Sequence, residues 1–382
     1  MHIGINAHLL AFTGDYRAAG LSKHIGDLIT ALLDQPDDTH YTLFTGPGAR
    51  NAPPGFAQSP RAQVQASRWP TLQPEVRIAW EQTVLPVVAV RAGLDLLHCP
   101  VLVQPLLCPV PTVITVHDLI FLRYPDRFPR LKRLYLTALA GASLRRARRI
   151  IAVSTATKRD LTALLGIAPG RITVVPNGVD LARFTPQPPA AVVAFRRAHD
   201  VPDRSILYLG TLEPRKNLPT LLRAYAAVRA ELGDVPLLIG GGKGWFYDEI
   251  FRVVRELGLD DGRAVRFLGY VPDADLPMWY NSATVFVYPS EYEGFGLPAL
   301  EALACGLPVI AADRSALPEV VGDAGLLVDP HSVAALAAAL RAVLTDTALA
   351  TRLRAAGPQQ AAHFPWTRAA HETLAVYRAA RR

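Results

Sequence analysis

The stretch "TVFVYPSEYEGFGLPALEALACGLPVI", residues 284–310, contains a whole strand–turn–helix–strand unit. "TVFVYPS" is a short β-branched and aromatic run bounded by turn residues, which predicts a buried strand. "LPALEALA" predicts a helix, with Pro298 tolerated in its first turn and Gly306 ending it. "LPVIAA" is the next strand, so "EGFG" becomes a strand-to-helix turn at a carboxyl edge. A parallel β–α–β unit is the economical reading.

The same alternation runs outward in both directions. Before it lie "SILYLGTL", the helix "LPTLLRAYAAVRAEL", "PLLIGGG" and "AVRFLGYV", and after it "AGLLVDP". The first half repeats the pattern with "HIGINA", "HYTLFTG", "DLLHCP", "TVITVHD", "RIIAVS" and "RITVVPNG". Between the two series "LARFTPQPPAAVVAFRRAHDVPD", residues 181–203, is proline-rich and weak in strand signal, and reads as a linker. A chain of 382 residues exceeds what one core usually holds. The expected architecture is therefore α/β, with two Rossmann-like, doubly wound domains facing each other across a cleft. The expected domains are a first Rossmann-like domain at 1–185, a second at 201–364 and an amphipathic helix at 365–382 packing back on the first domain.

Half of the residues are apolar, enough for two cores. The three cysteines, Cys99, Cys108 and Cys305, are widely spaced and include no CxxC pair, which suggests neither a disulfide framework nor a zinc site. The opening "MHIGINAHLLAFTGD" lacks the basic region of a signal peptide. No apolar run approaches the ~18 residues of a membrane span. A cytoplasmic protein, soluble or at the inner face of a membrane, is expected. The net charge is +7, and residues 1–190 hold the whole excess, with 20 Lys and Arg against 12 Asp and Glu. Much of it lies in Arg123–Arg149, where basic residues interleave with Leu, Tyr and Phe. That stretch reads either as a solvated helix face or as a patch for an anionic membrane or phosphorylated acceptor. No nucleic-acid motif appears, so nucleic acid is not an expected partner.

The chemistry concentrates around the opening stretch. Gly294 and Gly296 leave the backbone uncovered where a helix begins, so amide hydrogens backed by the helix dipole can face an anion such as a diphosphate. Glu293 precedes this seat, and Glu301 follows eight residues later, at most ~12 Å away along a helical path. Carboxylates there suit the hydroxyl pairs at the two ends of a nucleotide-sugar. In "LYLGTLEPRKNLPTLL" the adjacent cations Arg215 and Lys216 leave another strand end just before a helix. They can neutralise a diphosphate and stabilise it as it departs. Taken alone, each motif also has a plain structural reading, as a helix cap, a solvated acid or surface charge.

Together these residues resemble a retaining glycosyltransferase of family four, with the GT-B fold. The resemblance rests on the E-x7-E pattern from Glu293 to Glu301, "EPRKN" at 213–217, "VVPNGVD" at 174–180, "VHD" at 116–118 and "IAVS" ending at Ser154. "LPEVVGDAGLLVDP", residues 317–330, is similar to the mannosyltransferase-like branch. It implies that Arg215 and Lys216 bind the donor phosphates, that Glu293 holds sugar hydroxyls and that Glu301 holds ribose. Gly210, Phe295, Gly296 and Leu297 supply backbone around the donor. His117 lies near the anomeric centre, with Asp118 organising its loop. In "FTGDYRAAGLSKHIGDL" the family's glycine pair is not intact. Gly20 is its better match, and Arg17 or Lys23 can serve an acceptor phosphate instead.

Other motifs carry less. "PLLIGGGKGWF" lacks the first glycine and the Ser or Thr of a phosphate loop. Asp273-x-Asp275 has the shape of a metal motif but reads better as helix capping. The expectation is transfer of a hexose, with mannose preferred, from a nucleoside-diphosphate sugar to a hydroxyl of a glycan or lipid-linked acceptor, with retained configuration and no obligatory metal or other cofactor. GDP-mannose is the favoured donor and a UDP-sugar the second choice. A sugar-nucleotide epimerase or phosphorylase on a similar fold, and a non-catalytic nucleotide-sugar binding protein, are the rival readings.

Overall fold

The computed structural model describes residues 1–10, 20–47, 56, 59–125 and 130–381. Gly14, Arg17 and part of the basic stretch 123–149 lie outside the described residues. The chain divides into two compact units. Unit 1 comprises Met1–Gly178 together with Trp366–Arg382, and unit 2 comprises Val179–Pro365.

Unit 1 is built on seven strands: β1 (His2–Asn6), β2 (His40–Thr45), β3 (Ala62–Ala66), β4 (Leu96–Cys99), β5 (Thr112–Val116), β6 (Arg149–Ala152) and β7 (Ile172–Val174). All pairs are parallel, in the order β3-β2-β1-β4-β5-β6-β7. Side chains alternate between the two faces of a strand. Leu96, Val113 and Ile151 accordingly join one core with Ile25, Ile29 and Leu32 of helix Leu21–Leu33 and Leu374 and Tyr377 of helix Trp366–Arg381. Their neighbours Leu97, Ile114 and Ile150 face the other way, against Trp80, Leu85 and Ala89 of helix Pro74–Arg91. Burying each such aliphatic side chain contributes about 1.5–3 kcal/mol.

Unit 2 repeats the plan with β8 (Ile206–Leu209), β9 (Leu237–Gly240), β10 (Val265–Gly269), β11 (Val285–Tyr288), β12 (Val309–Ala312) and β13 (Leu326–Val328). Its parallel order is β10-β9-β8-β11-β12-β13. Residues 284–310 form the expected unit, with β11 paired to β12 at Phe286–Val309 and the helix Leu297–Ala304 between them.

The expected boundaries need correction. Unit 1 ends at Gly178 rather than 185, and 181–203 is not a free linker. Pro189–Ala198 is a helix of unit 2, started by Pro189 and docked by Phe195 against Trp279 at 5.3 Å between ring centroids. The prolines that suggested an extended link stand before the helix and at its first turn, where they do not break it.

Several motif residues have structural duties. Ser154 caps the helix Thr155–Leu165 by accepting from the Thr157 amide at 3.0 Å. Gly178 lies so close to Trp366 that a Cβ there would fall 2.5 Å from the indole ring. Among the described residues no single helix is long and apolar enough to cross a membrane.

Candidate active site

In an open parallel sheet, ligands bind beyond the carboxyl ends of the strands where the strand order reverses direction. In unit 2 that point lies between β8 and β11, which are hydrogen-bonded neighbours although far apart in sequence. The loop after β8 carries Glu213, Arg215 and Lys216, and the loop after β11 carries Ser290 and Glu293. Topology alone therefore brings together two motifs more than seventy residues apart.

The side chains meet directly. Glu293 Oε1 is 2.5 Å from Lys216 Nζ and Glu293 Oε2 is 2.9 Å from Arg215 Nη1. Arg215 Nε pairs with Glu213 Oε1 at 2.5 Å, and its Nη1 donates to the Tyr292 carbonyl at 2.9 Å. Lys216 also donates to Tyr288 Oη at 2.5 Å. Ser290 Oγ and the Glu291 amide both donate to the Arg215 carbonyl, binding the two loops to one another. Asn217 ends the "EPRKN" turn with a left-handed φ of 55° and donates from its side chain to the Pro330 carbonyl at 2.6 Å. The acid and the two cations, expected to serve separate parts of a ligand, form one ion-paired cluster, with Glu213 as a second acid.

Burial opposes the charge on Glu293, yet Arg215 and Lys216 overcome it and hold the carboxyl at about 2. The acid is thus ionised across the working range, and its contribution is lost only as pH falls towards that value. Burial, followed by repulsion from Arg215, lowers Lys216 below its usual 10.5 despite Glu293. A function that needs the ammonium therefore fails as pH rises through the depressed value. An alkaline limb in kcat below pH 10.5 is the expected result. A pH–rate profile checks it, and a rate that stays flat to 10.5 removes Lys216 from the charged machinery.

Glycines let the backbones of this edge close together. Gly241, after β9, has a φ of +148°, and a Cβ on it would lie 2.0 Å from the Gly210 carbonyl oxygen. A Cβ on Gly244 would fall 2.8 Å from the Leu212 carbonyl. The "GGGKG" run is thus a packing surface for the loop that bears Arg215. Gly296, with φ +111°, caps the helix Leu297–Ala304 without a side-chain hydrogen bond, and a Cβ there would meet Leu317 at 2.7 Å. Neither acid caps this helix, so Glu293 is left for the cations.

The other expected residues lie in different surroundings. Glu301 sits in the second turn of that helix, buried, and accepts from Tyr280 Oη at 3.0 Å. Phe295 is buried with its ring edge-on to Phe364 at 5.8 Å, and Leu297 opens the helix half-buried. The Gly210 amide donates to the Gly240 carbonyl at 2.9 Å. Gly20 and His117 belong to unit 1. Gly20 starts the helix Leu21–Leu33 with a φ of 60° that favours glycine. His117 follows β5, donates from Nε2 to the Pro100 carbonyl at 3.0 Å and packs edge-on against His24 at 4.4 Å. Burial keeps its pKa below 6.5 against the pull of Pro100 and Asp118, so it is neutral, with Nδ1 the unprotonated nitrogen. Asp118 accepts from the Ile120 amide at 3.2 Å, which organises the loop. Asp273 is paired with Arg183 at 2.5 Å, and both acids stand in the first turn of the short helix Asp273–Asp275 as dipole complements, but Asp275, at the start of the next helix, makes no side-chain capping bond. Among the described residues no group of three His, Cys, Asp or Glu is placed to hold a metal ion.

Residues 18–183 match the family model for Glycosyltransferase Family 4, and residues 194–360 match that for Glycosyl transferases group 1. The chain is 37% identical to O-antigen chain mannosyltransferase B of Escherichia coli over 268 residues, 70% of each protein. It belongs to glycosyltransferase family 4. This glycosyltransferase is also 32% identical over 269 residues to the serotype-specific mannosyltransferase WbdA of Escherichia coli, covering 69% of this chain and 33% of that one. Sucrose-phosphate synthase from Thermosynechococcus elongatus superposes with a TM-score of 0.79 at 26% identity, covering 99% and 98% of the two chains. Anabaena HepE, solved with UDP-glucose, gives 0.73 at 21% identity over 98% and 100%, a likeness of fold alone. The fold is GT-B and the protein is a transferase, which sets aside the epimerase and non-catalytic readings.

Sequence reasoning quoted Glu213 within "EPRKN" but gave it no part, and it missed Tyr288 and Ser290. The available signal was their place at the ends of β8 and β11.

Proposed function

We propose that this glycosyltransferase moves a hexose, mannose in the favoured case, from a nucleoside-diphosphate sugar to a hydroxyl of a glycan or lipid-linked acceptor, with retained anomeric configuration. The observation that carries the reading is the Arg215–Lys216–Glu293 cluster at the strand-order reversal of unit 2. Two cations held side by side at a water-poor edge suit a leaving diphosphate, whose charge grows as the glycosidic bond breaks. Glu293 keeps both cations in place and retains lone pairs for sugar hydroxyls. The backbone at Phe295, Gly296 and Leu297, with Gly210, is assigned to the phosphates and sugar. In unit 1, neutral His117 and the helix start at Gly20 are assigned to binding or catalysis in the same reaction. None of the motif residues is a nucleophile for the opposite face of the sugar. We therefore favour a front-side route in which the departing phosphate takes the acceptor's proton.

The mannosyltransferase names of the relatives support mannose and the assembly of a surface polysaccharide, with GDP-mannose as donor and a UDP-sugar as second choice. The basic excess of residues 1–190 supports an anionic, lipid-linked acceptor at the inner face of a membrane. No metal or further cofactor enters the scheme. A screen of GDP- and UDP-sugars that follows release of the free nucleoside diphosphate, with and without glycan acceptors and in the presence of EDTA, tests the reading. Acceptor-dependent release of GDP from GDP-mannose that persists in EDTA is expected, and release from no donor overturns it.

Glu301 is assigned to the ribose. Charged hydrogen bonds to hydroxyls are worth about 1.5–3 kcal/mol, so Glu301→Ala should weaken donor affinity by about tenfold or more while kcat changes less. Calorimetric titration with the donor measures this, and unchanged affinity removes Glu301 from the donor site.

A further inference from the structure

Unit 1 has its own strand-order reversal, between β1 and β4, and a second polar cluster lies at its carboxyl edge. Asn6 is the last residue of β1. Its Nδ2 donates to Glu81 Oε1 of helix Pro74–Arg91 at 3.0 Å, and its Oδ1 is 3.0 Å from His8 Nδ1. A carboxylate oxygen and an amide oxygen only accept, so this chain of contacts fixes its own protons. Glu81 receives the Asn6 amide hydrogen, and Asn6 Oδ1 receives a hydrogen that must sit on His8 Nδ1. His8 Nε2 is then a bare lone pair, although the residue is only 4% exposed, and no hydrogen-bond partner among the described residues meets it. Arg77 stands 3.8 Å from Glu81, and Trp80 packs its ring 4.2 Å from that of His8.

A further orphan stands at the same edge. Thr71 Oγ1 is buried at 1% exposure and has no partner among the described residues. Gly46 places it beside His8, because a Cβ on Gly46 would lie 3.4 Å from Thr71 Oγ1 and 3.7 Å from the His8 carbonyl. Leaving one buried hydroxyl unsatisfied is costly, and two unsatisfied polar atoms at one sheet edge suit a ligand that supplies hydroxyls. Burial, with the Arg77 charge, holds His8 at about 4, so near neutral pH its free nitrogen is an acceptor.

We propose that the Glu81–Asn6–His8 relay, with Thr71, is the subsite that recognises hydroxyl groups of the glycan acceptor, His8 Nε2 accepting a hydrogen bond from one of them. The inference rests on the glycosyl-transfer reading above and adds to it the residues and the chemistry of acceptor choice. Trp80 and Asn6 are positioning residues, since they act through His8.

The test uses the full chain, the donor identified by nucleotide release and methyl α-mannobioside as acceptor probe. Thr71→Val exchanges the hydroxyl for a methyl group of similar size. It should raise the acceptor KM by about tenfold and leave donor affinity unchanged, while the melting temperature rises because a buried orphan is gone. His8→Phe should raise KM at least as far, and His8→Gln, whose terminal amide falls near the place of Nε2, should recover part of the loss. An unchanged acceptor KM in both Thr71→Val and His8→Phe overturns the subsite, as does a loss confined to donor affinity. Wild-type protein that releases nucleotide but transfers to no hydroxylated acceptor overturns the proposed function, and the subsite falls with it.

Discussion

Replacing Lys216 by alanine is expected to lower kcat by on the order of 10²-fold or more, and Arg215→Ala by a similar factor. Lys216 Nζ is buried between Glu293 Oε1 and Tyr288 Oη, each at 2.5 Å, with the Tyr288 ring 4.8 Å beneath it. A neutral water in that place would carry no charge to meet the second negative charge that appears on the leaving phosphate. The loss should fall on kcat more than on KM, since the interaction strengthens as the bond breaks. Lys216→Arg should not rescue the rate, because a planar guanidinium does not fit a space shaped for a compact ammonium. Initial rates from nucleotide release, with circular dichroism as the check on folding, decide the matter, and near-wild-type turnover in either alanine variant ends the assignment. A second consequence concerns Glu293: removing it takes the only paired acid from buried Lys216 among the described residues, while half-buried Arg215 keeps Glu213, and breaking a buried pair costs about 3–5 kcal/mol. Its variants therefore need a stability measurement beside every rate.

Tyr377→Ala should be the most damaging change outside that cluster. Tyr377 is fully buried in the core formed by helices Leu21–Leu33 and Trp366–Arg381, and its hydroxyl lies 2.7 Å from His98 Nδ1. The other ring nitrogen of His98 contacts Thr115 Oγ1 at 2.8 Å, so the buried imidazole is satisfied on both sides only while Tyr377 is present. Loss of a large aromatic side chain costs about 3–5 kcal/mol, and an orphaned buried nitrogen adds about 1–3 kcal/mol. Tyr377→Phe isolates the second contribution. Denaturant unfolding of a two-unit chain need not be two-state. The expected result is an early transition for unit 1, with that of unit 2 in place. Equal shifts of both would show that the helix supports more than its own unit.

The strands were legible where β-branched residues cluster, as in "TVITV" and "TVFVY". Strand β3, "AQVQA", was not, because it is a half-exposed edge whose glutamines carry no core signal. The helix Pro189–Ala198 was hidden for a different reason: its proline-rich approach dominates composition, whereas Phe195 finds Trp279 only after folding. At the site, Arg215, Lys216 and Glu293 stood out by their positions at strand ends. Their pairing did not, since it depends on β8 lying beside β11. The relay from Glu81 through Asn6 to His8 was equally out of reach, joining a mid-helix acid to residues some seventy-five positions earlier. Glu301 shows the opposite limit. The eight-residue spacing from Glu293 is plain in the sequence, yet the structure gives that acid Tyr280 as its partner.

Unit 2 is one uninterrupted run of chain lodged between two separate pieces of unit 1. During synthesis the ribosome therefore delivers everything the later-begun half requires before it delivers the helix that seals the earlier one. The half that begins second is the first able to finish folding, and its partner waits with one face of its sheet covered by helix Leu21–Leu33 alone until residues 366–381 emerge. Premature release before that point would leave an exposed apolar face, the kind of surface on which chaperones and proteases act.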